Sequence, residues 1–307
     1  MLNRREFIAT SAALAAAGVV LAQPQPESKP KRTLKKAVMF GMIGEGSTLA
    51  EKFKVLKDSG FDGVEADSPT DLNIDDMRTA ADKAGITIHG MVNSKHWSIP
   101  LNVPDEKARA EADKALATCL RDAKKAGSSS ILLVPGVVNE RLAYDDCWKL
   151  SIAAIKRALP VAKETGVKIA VENVWNAFIM SPMEAARYLD ECNQGQSGDP
   201  MVGWHFDIGN VINYGWPEQW INVLGKRVLK LHIKDFSRKK RNDLGLWKGF
   251  EVELGEGDAG WPRVMAALDA CAYSTATTPN WATAEVGGGD AKRLKQISAQ
   301  MDKLFAM

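Results

Sequence analysis

Gly166-Val167-Lys168-Ile169-Ala170-Val171-Glu172-Asn173 carries the pattern that decides the fold. A glycine stops the amphipathic run Asp145–Thr165, a short apolar stretch follows, and a carboxylate and an amide close it. The stretch is apolar at consecutive positions rather than alternating. That pattern belongs to a strand covered on both faces, as in a parallel sheet.

The same unit recurs outward in both directions. Strands are expected at Ala37–Met42, Gly63–Ala66, Ile88–Val92, Ser130–Pro135, Lys168–Val174, Val202–Asp207, Val228–Lys234 and Thr283–Val286. The helices that alternate with them are expected at Thr48–Ser59, Ile74–Ala84, Asp105–Ala126, Asp145–Thr165, Pro182–Cys192, Pro217–Leu224, Trp261–Ala270 and Asp290–Phe305. Gly60, Gly85, Gly127 and Gly166 stand where helices end, the position at which a left-handed residue stops a helix. Eight strand–helix alternations predict an α/β protein with a (β/α)8 TIM barrel over residues 36–307. The alternative is an open doubly wound sheet. Against it, the first strand–helix turn, Gly41-Met42-Ile43-Gly44-Glu45-Gly46, lacks the G-x-G-x-x-G spacing of a dinucleotide site. Two long loops, Asn93–Pro104 and Phe236–Trp261, are expected at the mouth, the second with the basic run Arg238-Lys239-Lys240-Arg241.

The 307 residues, 45% apolar, suffice for one domain of this kind. A formal charge of +2 gives no bulk electrostatic attraction to nucleic acid. Residues 1–22 are set apart from the fold. Asn3-Arg4-Arg5-Glu6-Phe7-Ile8 is a twin-arginine pattern, and the Ala-rich apolar run to Ala22 is too short for a stable membrane anchor. This predicts a Tat signal peptide cleaved after Ala22, export to the periplasm or another extracytoplasmic compartment, and a linker over residues 23–35. Cys119, Cys147, Cys192 and Cys271 all fall in expected helices without a C-x-x-C pair, and read as small buried hydrophobes.

Four strands in succession end on groups that bind cations: Glu172, Asp207, His232 and Glu285. In a closed parallel barrel these ends meet at one rim. Three carboxylates and one imidazole suit a single divalent metal ion, Mn²⁺ before Mg²⁺, Co²⁺ or Zn²⁺. Such an ion polarises a carbonyl and stabilises an enediolate, while Glu172 and Glu285 on strands five and eight stand as the acid/base pair. His205, two residues before Asp207, is either a substrate-binding residue that orients a ligand or a packed strand histidine, and Lys234, two beyond His232, meets a substrate oxygen or forms a salt bridge.

Together with these segments, Gly60-Phe61-Asp62-Gly63-Val64-Glu65, Phe206-Asp207-Ile208-Gly209-Asn210, His232-Ile233-Lys234-Asp235 and Leu254-Gly255-Glu256-Gly257 carry a resemblance. The chain resembles the xylose-isomerase-like TIM-barrel sugar phosphate isomerases and epimerases, in the branch of L-ribulose/L-xylulose 5-phosphate 3-epimerases and hexulose-6-phosphate isomerases. The resemblance implies that Glu172, Asp207, His232 and Glu285 are the metal ligands. It implies a substrate-contacting role for His96, and a supporting acid in Glu256. It also implies a keto sugar or sugar phosphate as the small-molecule partner. A DNA-repair endonuclease of the same superfamily is disfavoured by the near-neutral charge and by having only His89, His96, His205 and His232, so no nucleic acid is expected. Export argues for an unphosphorylated keto sugar. The same enolisation on a 3-keto-glycoside would expel the glycosidic group and make the enzyme a lyase or hydratase.

Overall fold

The computed structural model describes residues 32–307, so the expected signal peptide and most of the expected linker lie outside the described residues. Eight parallel strands close into one barrel in chain order. They are β1 (Leu34–Met39), β2 (Gly63–Ser68), β3 (Thr87–Asn93), β4 (Ser130–Leu133), β5 (Lys168–Glu172), β6 (Val202–Asp207), β7 (Val228–Ile233) and β8 (Asn280–Ala284). Closure is made by β1 on β8, from Leu34 opposite Asn280 to Val38 opposite Ala284. Leu34 and Lys35 therefore belong to the barrel and not to the linker. No helix among the described residues is long and apolar enough to cross a membrane.

The outer ring consists of α1 (Leu49–Asp58), α2 (Ile74–Ala84), α3 (Glu106–Ala126), α4 (Tyr144–Thr165), α5 (Pro182–Asn193), α6 (Ile208–Ile212), α7 (Pro217–Leu224), α8 (Arg238–Leu244), α9 (Trp261–Ala270) and α10 (Ala291–Phe305). Their starts follow capping chemistry: Asn73, Asp105, Ser181 and Asp290 each accept a backbone N–H of the first turn. The apolar residues of helices and strands form one continuous core between the two layers. All four cysteines are free thiols, three of them buried.

Three expected boundaries differ in ways that matter to the site. β5 ends at Glu172 because the side chain of Asn173 takes over the pairing: its Nδ2 donates to the Asp207 carbonyl (2.7 Å) and its Oδ1 accepts from the Asp207 N–H (3.0 Å). β8 begins at Asn280, earlier than expected, and Glu285 stands just beyond it, its N–H bonded to the Ile233 carbonyl (3.2 Å). The long loop expected after β7 carries structure of its own. It forms α8 and a short 3-10 turn at Leu246–Phe250. Arg238 donates to the carbonyls of Ile212 and Gly215, and Arg241 to Asn213, tying this excursion to the segment after β6. Lys239 pairs with Asp243, and Lys240 donates to the Glu251 carbonyl.

Candidate metal centre

Each candidate ligand is held by the backbone at the carboxyl end of its strand. Glu172 is the last residue of β5 and is buried. Asp207 is the last of β6 and caps α6, its Oδ1 accepting the Asn210 N–H at 2.7 Å, which turns Oδ2 toward the barrel axis. Asn210 in turn donates from Nδ2 to the Asn173 carbonyl (3.0 Å). Gly209 lets this turn lie against β7: a Cβ there would stand 2.7 Å from Lys234 Cγ and 3.0 Å from its carbonyl carbon.

One ligand atom from each of Glu172, Asp207, His232 and Glu285 lies within 4.8 Å of all the others. His232 Nδ1 is 3.0 Å from Glu172 Oε1, 3.2 Å from Glu285 Oε2 and 3.9 Å from Asp207 Oδ2. Lys234 Nζ approaches Asp207 Oδ2 (3.1 Å) and Glu285 Oε2 (2.6 Å). Among the described residues neither buried oxygen has a well-aligned hydrogen-bond donor, so this ammonium holds both by its charge. Burial lowers the basicity of His232, but Glu285 and Glu65 outweigh it and hold the imidazole well above its ordinary value. One ammonium and one imidazolium thus face three carboxylates, and the cluster still holds surplus negative charge in a site from which water is largely excluded.

Protonation follows from that imbalance. Burial, together with the charges of Glu285 and Asp207, raises the Glu172 carboxyl to about 7 although His232 opposes it. Burial raises Asp207 to about 6 against the pull of Lys234. Burial acts upward on Glu285 too, but Lys234 and His232 outweigh it and hold that carboxyl well below its ordinary value. Converging buried carboxylate oxygens with one imidazole fit a divalent cation: it would neutralise the surplus charge and displace the site's protons.

The other expected site residues divide. His96 is buried in the loop after β3; its Nδ1 accepts the Val134 N–H (3.1 Å), leaving Nε2–H to donate. Burial depresses its basicity to about 4 against the attraction of Glu285, so it is neutral. Lys234 joins the carboxylate cluster directly, through its contacts with Asp207 and Glu285. His205 does not reach the mouth. It is buried a layer deeper, its ring 4.1 Å from that of His232 and its Nε2 3.8 Å from Glu65 Oε1. The reason is the strand period: two residues before Asp207 means the same face but one layer down. Glu256 is also not brought in. It is exposed and its carboxylate makes no hydrogen bond among the described residues. The organising acid of that loop is Asp235, buried, which accepts the N–H groups of Gly255 (3.0 Å), Gly257 (3.1 Å) and Ala259 (3.3 Å) and the indole N–H of Trp261 (2.9 Å).

Sequence reasoning assigned no role to Glu65, whose Oε2 lies 3.0 Å from His232 Nε2 inside the barrel. The available signal was a carboxylate within the otherwise apolar β2, which demands a buried partner. It also passed over the Asn173 clamp, which shares its Oδ1 with the indole N–H of Trp204 (3.0 Å).

Comparisons agree with this architecture. The chain superposes on L-ribulose 3-epimerase with a TM-score of 0.71 at 15% identity, covering 89% of this chain and 95% of that one. It superposes on 3-keto-D-glucoside 4-epimerase from E. coli with a TM-score of 0.68 at 17% identity, covering 89% and 100%. It also superposes on the IolI protein with a bound zinc atom, with a TM-score of 0.71 at 17% identity, covering 89% and 98%. At these identities the likeness is one of fold. No curated protein sequence is significantly similar to the chain. The family model for the xylose isomerase-like TIM barrel matches residues 53–304, and with the closed eight-stranded barrel this establishes that the chain belongs to that family.

Proposed function

We propose that the protein is a divalent-metal-dependent sugar isomerase or epimerase that moves a proton at the carbon beside a carbonyl. The observation that carries this is the convergence of Glu172, Asp207, His232 and Glu285 within 4.8 Å, with buried oxygens of Asp207 and Glu285 sharing the single ammonium of Lys234. A bound divalent ion, Mn²⁺ before Mg²⁺, Co²⁺ or Zn²⁺, supplies Lewis-acid polarisation of the substrate carbonyl. Glu172 and Glu285 are the groups that take and return the proton, one on each face of the carbon, which is the requirement for inversion or carbonyl migration. Lys234 is suited to meet a substrate oxygen beside them, and the Nε2–H of His96 to donate to a hydroxyl at the rim.

The substrate is proposed to be an unphosphorylated keto sugar. Arg238 and Arg241 are engaged by backbone carbonyls and Asn213, and Lys239 and Lys240 by local partners, so the basic run offers no free cradle for a phosphate. One observation favours the second reading, a lyase or hydratase on 3-keto-glycosides. The exposed Trp247 lies 4.9 Å from Trp175, which lies 4.9 Å from Phe250, and Lys234 Nζ faces the Phe250 ring at 5.4 Å. This aromatic surface runs from the ligand cluster outward and suits a second ring. We further propose twin-arginine export on the pattern at Arg4-Arg5; a periplasmic fraction lacking the protein would refute it.

The test is solvent deuterium uptake into keto sugars, with and without phosphate, in the presence of Mn²⁺. Uptake is expected for the unphosphorylated sugars and is abolished in Glu172→Gln and Glu285→Gln. Absence of uptake with every sugar, together with absence of a bound divalent ion, overturns the proposal. Release of an aglycone from a 3-keto-glycoside selects the lyase over the epimerase.

A further inference from the structure

Barrel interiors are ordinarily filled with layers of branched aliphatic side chains. Here the interior beneath the metal centre is polar: Glu65, His89, His205, Lys230, His232 and Thr283 are all buried. Burying such groups is costly unless each has a partner. Alternation along two strands explains the stacking, with Lys230, His232 and Lys234 rising on one face of β7 and Trp281, Thr283 and Glu285 on one face of β8.

The contacts form one unbroken line. Lys230 Nζ is 3.2 Å from His89 Nδ1, His89 Nε2 is 3.0 Å from Thr283 Oγ1, Thr283 Oγ1 is 3.0 Å from Glu65 Oε1, and Glu65 Oε2 is 3.0 Å from His232 Nε2. Their direction is determined by elimination. An ammonium only donates, so His89 Nδ1 accepts and His89 Nε2 carries the proton. Thr283 accepts that proton's bond and donates its own hydroxyl to Glu65. Both Glu65 oxygens therefore accept, one from Thr283 and one from His232 Nε2–H. With Nε2 protonated, His232 Nδ1 is the atom facing Glu172, Asp207 and Glu285. At the far end Lys230 lines a pocket with Trp281, Ser129 and Lys168 at the opposite mouth of the barrel. The single carboxylate of this layer is matched by the single ammonium, so the layer has no surplus charge calling for a second cation.

We propose that Glu65 is a positioning residue for the metal centre, and that Thr283, His89 and Lys230 hold it there, so that metal affinity is set along a line reaching the other end of the barrel. Glu65 fixes the ring of His232 and, by its charge, makes Nδ1 a stronger donor; a carboxylate behind a ligating histidine has this effect generally. Thr283 and His89 keep Glu65 from rotating away. The inference rests on the metal reading above.

The test is calorimetric titration of the full-length protein with Zn²⁺ alone, with ring ¹⁵N NMR of the histidines. Thr283→Val is nearly isosteric and removes only the hydroxyl, and Thr283→Ser restores it. Thr283→Val is expected to weaken Zn²⁺ binding by about tenfold and Thr283→Ser to recover wild-type affinity, while Glu65→Gln loses about 10–100-fold. Lys230→Met is expected to abolish the single Nε2–H tautomer of His89 and to lower affinity by at least about threefold. A folded Thr283→Val within twofold of wild type, or a Thr283→Ser as weak as Thr283→Val, overturns the inference; so does unchanged affinity in Lys230→Met, should the Thr283 variants not fold. A wild-type protein that binds no divalent ion overturns the metal reading itself, and this inference with it.

Discussion

Asn173→Ala is the substitution whose consequence the structure states most fully. The Asn173 amide accepts the Asp207 N–H at 3.0 Å and the Trp204 indole N–H at 3.0 Å, and donates to the Asp207 carbonyl at 2.7 Å. All of these groups are buried. Alanine removes the amide and leaves two donors and one acceptor without partners. An unsatisfied buried group costs about 1–3 kcal/mol, so the loss expected for three is about 3–9 kcal/mol. That is a large share of the roughly 5–15 kcal/mol by which a domain is stable, and corresponds to a fall in Tm of roughly 6 °C or more. The damage also reaches the site, because the same amide fixes the backbone from which the Asp207 carboxylate projects. Urea unfolding with and without Mn²⁺ measures both effects, and metal affinity is expected to fall by about 10–100-fold. A loss of stability below about 1 kcal/mol with undiminished metal binding would show that the clamp neither satisfies those groups nor holds Asp207.

Other expectations follow from particular contacts. Gly209→Ala drives a Cβ to 2.7 Å from Lys234 Cγ, so about 1–3 kcal/mol of stability is lost and Lys234 shifts from the carboxylates, read out by thermal melting and turnover. Burial raises Glu172 to about 7 and Asp207 to about 6, above their unfolded values. In chelator-treated protein their contribution to stability is therefore present below the unfolded carboxylate range and lost as pH rises toward neutrality. Thermal melts in EDTA across that range check this, and Glu172→Gln should flatten the dependence. Metal affinity should move the opposite way, strengthening with pH as binding displaces those protons. Asp235→Ala should unravel the loop at Gly255–Trp261 and cost several kcal/mol, of order 1–3 for each N–H left buried, whereas Glu256→Ala should leave stability and turnover within twofold of wild type.

The barrel was legible because strand–helix units buried on both strand faces show as apolar runs separated by glycine stops, as at Gly85, Gly127 and Gly166, each left-handed at a helix end. The rim positions of Glu172 and Asp207 were legible for the same reason, since each closes its strand. Boundaries were less so where a side chain completes the pairing. Asn173 ends β5 by an interaction with β6, and no local pattern announces a partner thirty-odd residues away. The engagement of the basic run Arg238–Arg241 was not legible, because the carbonyls that hold its arginines belong to another strand–helix unit.

Local chemistry alone determined that the chain forms eight strand–helix units and that three carboxylates and an imidazole stand at their ends, since burial pattern, helix stops and residue identity are all written along the chain. Depth and company were decided only by closure. Whether a strand residue faces the mouth or the interior depends on stagger around the barrel. That is why His205 lies beneath His232 instead of beside a substrate, why Glu65 on β2 meets a histidine on β7, and why Lys230 faces His89 across the axis. These contacts join residues far apart in sequence, and they exist only once the sheet has closed on itself.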